Sequence, residues 1–354
     1  MIRRSSSENI LDLWQEQTSL AAHRAMRALI IQPGAIGDCI LTLPLAHYLK
    51  ESLGIGSIDL LAHVSYVDFY PNRTAVDCVR SLETVPLHKL FVASGDFQLK
   101  DKDPLARAFV DYEWIVSFLG ASNRDFEANL TFTVYSSHSA DVLTLPLVPP
   151  PECQLHVADY YIETFLAKYE RAEGRVAPVD RSAVLIRPSA ADRANGQQLL
   201  GKLGVSLSEP LLVMHPGSGG ASKCWCVENY LAIAEQAVRR GGSVLFLLGP
   251  AELERLDPSA VQRIAATAPI LQEHALTEVM CVLACAQAFL GNDSGISHMA
   301  GAMGLRTVVM FGGTNPEVYC PIGPDVRAFC GETEGFTRQA SPKLQADVLG
   351  ALCF

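Results

Sequence analysis

Residues 288–312 read AFLGNDSGISHMAGAMGLRTVVMFG, and this stretch decides the fold. AFLGN is an apolar run of strand length, and TVVMF (307–311) is a second, β-branched one. Between them residues 296–303 carry a short helical pattern. Strand, tight loop, helix and strand in this order make a βαβ unit, whose two strands must lie parallel in one sheet. The alternation runs back through LLVMH (211–215), a helix over 227–240, SVLFLLG (243–249), a helix over 252–266, a strand near 269–273 and a helix over 276–286. The first half repeats it more faintly, in ALIIQ (28–32), a helix over 37–50, SIDLLAHV (57–64), WIVSFLG (114–120) and, after the proline-rich LPLVPPPE (145–152), a helix near 157–170. Strands alternating with helices predict an α/β protein with two doubly wound parallel sheets in tandem. Its 354 residues suit two domains at about 100–200 residues each. The polar stretch 171–183 reads as the linker, giving domains over 27–175 and 176–354 behind a polar, partly helical extension, 1–26.

Composition narrows the function. Apolar residues make up 49%, enough for two cores, and charged residues only 19%, which excludes a disordered or coiled-coil chain. The net charge of −10 is shared by both halves, without the Lys/Arg cluster a nucleic-acid partner requires. No apolar run reaches the ~18 residues of a membrane span. MIRRSSSENILDLWQEQ lacks the apolar core of a secretory signal. The expectation is a cytoplasmic protein, with peripheral contact at the inner face of the membrane left open. Ten cysteines are too dilute for a disulfide scaffold and read as reduced, mostly buried thiols. The pair Cys224/Cys226 leaves zinc as an alternative, without a second pair to complete it.

Ligands of doubly wound sheets sit at the carboxyl ends of the strands. Three loops there carry unusual chemistry. Gln32–Asp38 (QPGAIGD) puts Gly34 and Gly37 before a helix whose first turn holds Asp38. Its G-x-x-G spacing does not match a dinucleotide fingerprint. Asp38 is either a functional carboxylate or an acid favoured by the helix dipole. His215–Trp225 (HPGSGGASKCW) offers three glycines, Ser218, Ser222 and Lys223, a cradle for phosphate. Lys223 alternatively is a solvated loop lysine, and Trp225 is better read as a core anchor than as a stacking platform. Gly291–His298 (GNDSGISH) lets Asp293 or Ser294 cap a helix whose following amides, at Gly295, Ile296 and Ser297, can bind a pyrophosphate. His298 either faces the same mouth or is a satisfied core residue.

GAIGDCILTLPL, HPGSGGASKCW and GNDSGISHMAGAMGLRTVVMFGGTNP, in this order, closely resemble glycosyltransferase family 9, the lipopolysaccharide heptosyltransferases, over roughly residues 27–330. The resemblance implies two Rossmann-like domains across a cleft (the GT-B arrangement), an amino-terminal acceptor domain and a carboxy-terminal donor domain. It implies an inverting transfer of a sugar, typically from ADP-heptose, to a glycan or glycolipid, with no cofactor and no obligatory metal. Carried over by position, the catalytic aspartate falls on Asp38 and the donor-phosphate lysine on Lys223. Asp293, Gly295, Ser297 and His298 fall on the phosphate site, and Glu252 on the ribose contact. Two departures stand out: Cys224 and Cys226 flank Trp225 where Arg/His-Trp-Pro is usual, and the acceptor domain is acidic. A phosphorylated acceptor would need basic side chains there. Two other readings remain, an epimerase of the same architecture and a catalytically silent sugar-nucleotide or polysaccharide-binding protein.

Overall fold

The computed structural model describes residues 26–169, 178–330, 336 and 340–354. The extension up to residue 25 and residues 171–177 of the expected linker lie outside the described residues. The first sheet holds β1 (Arg27–Ile31), β2 (Ser57–Ala62), β3 (Cys78–Ser81), β4 (Trp114–Ser117) and β5 (Asp141–Thr144). Every strand pair is parallel, in the order β3-β2-β1-β4-β5. Helices α1 (Ile36–Leu41), α2 (Leu43–Leu53), α3 (Val64–Val67), α4 (Pro104–Phe109), α5 (Arg124–Tyr135) and α6 (Val157–Lys168) accompany it.

The second sheet holds β6 (Leu211–His215), β7 (Ser243–Leu248), β8 (Ile270–Gln272), β9 (Ala288–Asn292), β10 (Arg306–Phe311) and β11 (Val326–Cys330). They are also parallel, in the order β11-β10-β9-β6-β7-β8. Counted from its own first strand this is 3-2-1-4-5-6, the Rossmann order. Its helices are α7 (Ala190–Lys202), α8 (Val227–Arg239), α9 (Pro250–Arg255), α10 (Pro258–Thr267), α11 (Leu276–Leu283), α12 (Gly295–Ala302), α13 (Pro316–Tyr319) and α14 (Pro342–Leu352).

Two expected helices are each split, for the same reason. The helix over 37–50 becomes α1 and α2, broken at Thr42 ahead of Pro44. Proline has no N–H for the ladder. Thr42 bridges the break: its hydroxyl donates to the Asp38 carbonyl at 2.8 Å and accepts from Gln32 Nε2 at 2.7 Å. The helix over 252–266 likewise becomes α9 and α10, with Asp257 capping a helix that restarts at Pro258.

One core cluster runs unbroken between the sheets. Ala28 and Ile30 on one side and Val213 and Leu245 on the other belong to it, joined through Ile296 and Met299 of α12. The opposite face of β1, Leu29 and Ile31, packs separately against Phe109, Phe126 and Leu130. This is the period-two alternation of a strand covered on both faces. Arg73, after α3, forms a two-pronged ion pair with Asp192 in the first turn of α7, at 2.7 and 2.8 Å. His156, which caps α6, accepts the Ala158 N–H on Nδ1 at 3.2 Å, so its proton lies on Nε2, which donates to the Cys320 carbonyl at 2.7 Å.

Candidate active site

Both sheets aim their switch points at one cleft. β1 lies between β2 and β4, and β6 lies beside β9, where strand order reverses. The loops leaving β1, β6 and β9 meet there. They enclose a cavity of about 340 Å³, lined by Ala35, Gly37, Asp38 and Leu41 from one side. Ser218, Lys223, Asp293, Ser294, Gly295, His298, Thr314 and Tyr319 line the other. An adjoining cavity of about 400 Å³ shares Ser218, Ser294 and Gly295, and extends past His215, Glu252, Ile296 and the ends of β7 and β8.

Asp38 is the third residue of α1 and folds back to accept the Ala35 N–H at 2.8 Å. Burial raises its carboxyl above the ordinary value. Asp293 pushes the same way, while the Ala35 N–H and Lys223 oppose. The carboxylate is therefore a stronger base than an exposed aspartate, and it is positioned by its own helix start.

The other wall is a bonded network centred on β9. Asn292 is fully buried. Its amide donates to the Pro216 carbonyl at 2.7 Å, and its oxygen accepts from the Trp225 N–H at 2.9 Å and the Tyr230 hydroxyl at 3.0 Å. Asp293 takes Lys223 Nζ at 2.8 Å and the Thr314 hydroxyl at 2.7 Å on the same oxygen. Ser218 donates to the Asp293 carbonyl at 2.6 Å. Ser294 caps α12. Ser297 is fully buried and gives its hydroxyl to the Asn292 carbonyl, so it shapes the helix start and is absent from both cavity linings. His298 lies 3.9 Å from Asp293 with its Nδ1 unpartnered; burial above all pulls it down to about 4, so the ring is neutral. Glu252 accepts the Gly249 N–H at 2.8 Å and stands 3.5 Å from His215. Burial pushes its carboxyl up, but His215 and the Gly249 N–H outweigh that and hold it below the usual range.

The glycines of these loops make room for side chains. A Cβ on Gly34 would stand 2.6 Å from the Asp38 Cβ, and one on Gly217 would collide with the Glu252 carboxylate. On Gly37 it would lie 3.1 Å from the His298 ring, and on Gly295 2.5 Å from Ile36 across the cleft.

The structure thus gathers Asp38, Ser218, Lys223, Asp293, Ser294, Gly295 and His298 at one cavity, with Glu252 and Ile296 at its neighbour. Sequence reading missed Thr314, Tyr319, His215 and Arg255. Arg255 Nη1 braces the glycine loop through the Ser218 carbonyl at 2.7 Å. Thr314 follows β10 in GGTNP, a strand end on the same rim. Trp225 is buried edge-on against Tyr230 at 5.5 Å, an anchor for α8. Cys224 Sγ turns to the Gly220 carbonyl at 3.5 Å and Cys226 Sγ to Glu228 at 2.7 Å. Among the described residues no group of three or more His, Cys, Asp or Glu side chains is arranged to hold a metal ion. None of the described helices is long and apolar enough to cross a membrane.

Two doubly wound parallel sheets closing on one polar cleft define the GT-B class of fold. The chain belongs to glycosyltransferase family 9 (heptosyltransferase), whose family model matches residues 156–346. That match takes in the β6 and β9 loops and leaves Asp38 outside it. Lipopolysaccharide heptosyltransferase 1 of Pseudomonas aeruginosa is 35% identical over 111 residues, a stretch spanning 30% of this chain and 30% of that protein. A family 9 glycosyl transferase from Veillonella parvula superposes with a TM-score of 0.68 at 17% identity, over 92% of this chain and 97% of that one. ADP-heptose lps heptosyltransferase II of E. coli gives a TM-score of 0.66 at 17% identity, over 92% and 98%. E. coli heptosyltransferase WaaC with ADP gives 0.62 at 16% identity, over 92% and 100%. At these identities the superpositions establish the fold.

Proposed function

We propose that this chain is an inverting glycosyltransferase that moves a heptose from ADP-heptose to a hydroxyl of a glycan or glycolipid acceptor. The observation that carries the reading is the position of Asp38, the one charged side chain among the described amino-terminal residues lining the smaller cavity, facing Lys223, Asp293 and His298. Residues 176–354 are the donor domain in this reading and residues 27–175 the acceptor domain. The nucleoside lies in the larger cavity with Glu252 toward the ribose. The diphosphate lies at Ser218, Lys223 and the amides that open α12, where a helix start favours anions.

In the step itself the acceptor oxygen attacks C1 of the sugar as Asp38 takes its proton. The bond from C1 to the diphosphate oxygen breaks, and the nucleotide diphosphate leaves with the electron pair. Attack opposite the leaving group inverts C1. General-base help of this kind contributes about 10²–10⁴-fold. Lys223 and the preorganised amides neutralise the charge that develops on the leaving group, so the scheme needs no metal.

A silent binding protein has no use for a carboxylate held at position 38. An epimerase needs uncommitted acids beside the sugar. In the cavity that holds Asp38, the other carboxylate, Asp293, is tied to Lys223 and Thr314. The test is incubation with ADP-, UDP-, GDP- and TDP-sugars while nucleotide diphosphate release is followed. Acceptor-dependent release from ADP-heptose, unaffected by EDTA, is expected. An epimerised sugar nucleotide, or release that EDTA abolishes and a divalent ion restores, contradicts the scheme.

A further inference from the structure

We infer that the acceptor of this site is uncharged around its reacting hydroxyl, a neutral glycan surface and not a phosphorylated or carboxylated one. The inference rests on the proposed reading, in which the acceptor approaches Asp38 from the amino-terminal side. Apart from Asp38, that wall of the cavity is Ala35, Gly37 and Leu41, and the half-buried ring of Tyr319 stands across from it. An anionic group within reach of the hydroxyl would lose water against the Ala35 and Leu41 side chains and meet no cation on that wall.

The rim above the cavity repeats the pattern. The segments that follow β1, β2, β4 and β5 at their carboxyl ends are residues 32–35, 63–77, 118–123 and 145–156. Together they contain one Lys or Arg, which is Arg73. Its guanidinium is committed to Asp192 through two hydrogen bonds. The segment that follows the edge strand β3, residues 82–103, adds Lys89, Lys100 and Lys102, of which Lys89 stands 3.8 Å from Asp103. Arg124, directly after residues 118–123, shares the first turn of α5 with Asp125 and Glu127. The cation inside the cavity, Lys223, is held by Asp293 and lies on the donor side. Asp38, Asp293 and a bound diphosphate already put several negative charges into one partly desolvated space. A further anion there is repelled. A sugar face, by contrast, matches Leu41 and Tyr319 with its C–H groups and offers its hydroxyl to Asp38.

The test uses the full chain with ADP-heptose and a set of methyl glycosides, each paired with its own monophosphate. ADP release is the readout. For members that accelerate release, kcat/KM is expected to be at least about tenfold higher for the neutral partner of each pair. It should be flat between about 0.02 and 0.2 M salt, because no charge pair is screened. Equal or faster release with the phosphorylated partner overturns the inference. In the variant Ala35→Lys, which adds a cation on the bare wall, the preference should shift toward the phosphorylated partner. An unshifted ratio also counts against it. ADP binding by calorimetry separates the two levels. Phosphate preference with ADP still bound removes the neutral acceptor alone, and loss of ADP binding removes the donor site beneath it.

Discussion

The two walls of the cleft are built on opposite plans. The carboxy-terminal wall is a lattice of short bonds in which Asn292 ties the glycine loop to β9, and Asp293 ties Lys223 to Thr314. Among the described residues, the amino-terminal wall of the smaller cavity offers one polar side chain, Asp38, held by one backbone N–H at the start of a six-residue helix. A preorganised lattice gives affinity because little ordering remains when the ligand arrives. In the proposed reading Asp38 is a base that gives rate, because its interaction matters only while the proton moves. On that reading donor affinity and turnover fall to different halves of the chain, and each can be damaged without the other.

The largest expected effect tests that separation. Asp38→Asn should lower kcat by about 10²-fold or more and leave ADP affinity unchanged. Burial raises the Asp38 pKa above its unfolded value, so at neutral pH the charged form costs stability. The thermal midpoint of the variant should therefore stay level or rise. A lowered midpoint with near-normal kcat would make Asp38 a helix-start acid and nothing more.

Lys223→Ala should act on the other wall. ADP affinity is expected to fall by about 1.5–3 kcal/mol, the range of a charge-assisted hydrogen bond, as calorimetry would show. Unchanged affinity for every nucleotide diphosphate that binds the parent would dissolve the contrast between the walls.

The smallest effect concerns how the halves are held together. His156 of the first half and His298 of the second are both pulled down to about 4, chiefly by burial. A folded value below the ordinary 6.5 means the neutral ring is the one the fold accepts. The stability it contributes is full above pH 6.5 and is lost as pH falls toward 4. The midpoint should drop by several degrees between about pH 7 and 5, and by less in His298→Gln. Equal drops in the two proteins would show that His298 titrates normally.

The sequence exposed the second half of the molecule better than the first. β6, β7, β9 and β10 are apolar along their length because both faces are covered, and such runs are easy to see. β3 and β5 (CVRS and DVLT) are short edge strands whose residues are mostly half-buried or exposed, so no apolar run announced them. α7 has its apolar residues scattered among Asp192, Arg193, Asn195 and two glutamines, which hid its helical face. At the site, residues whose chemistry is local were legible. Asp38 follows its glycines, and Ser294 caps the helix it precedes. Thr314 was not, because its role depends on Asp293, 21 residues away. His215 matters through Glu252, which approaches only when the β6 and β7 loops fold together.

Gly34, Gly37, Gly217 and Gly295 bear on how related chains should be judged. Each stands where a neighbour needs room, so an alanine there displaces Asp38, His298, Glu252 or Ile36 without altering any of them. A survey that scored activity by the presence of Asp38, Lys223 and Asp293 would pass such a chain as intact. Decay of this site can therefore begin in silence, with every reactive group still encoded and a neighbour beneath one of them displaced.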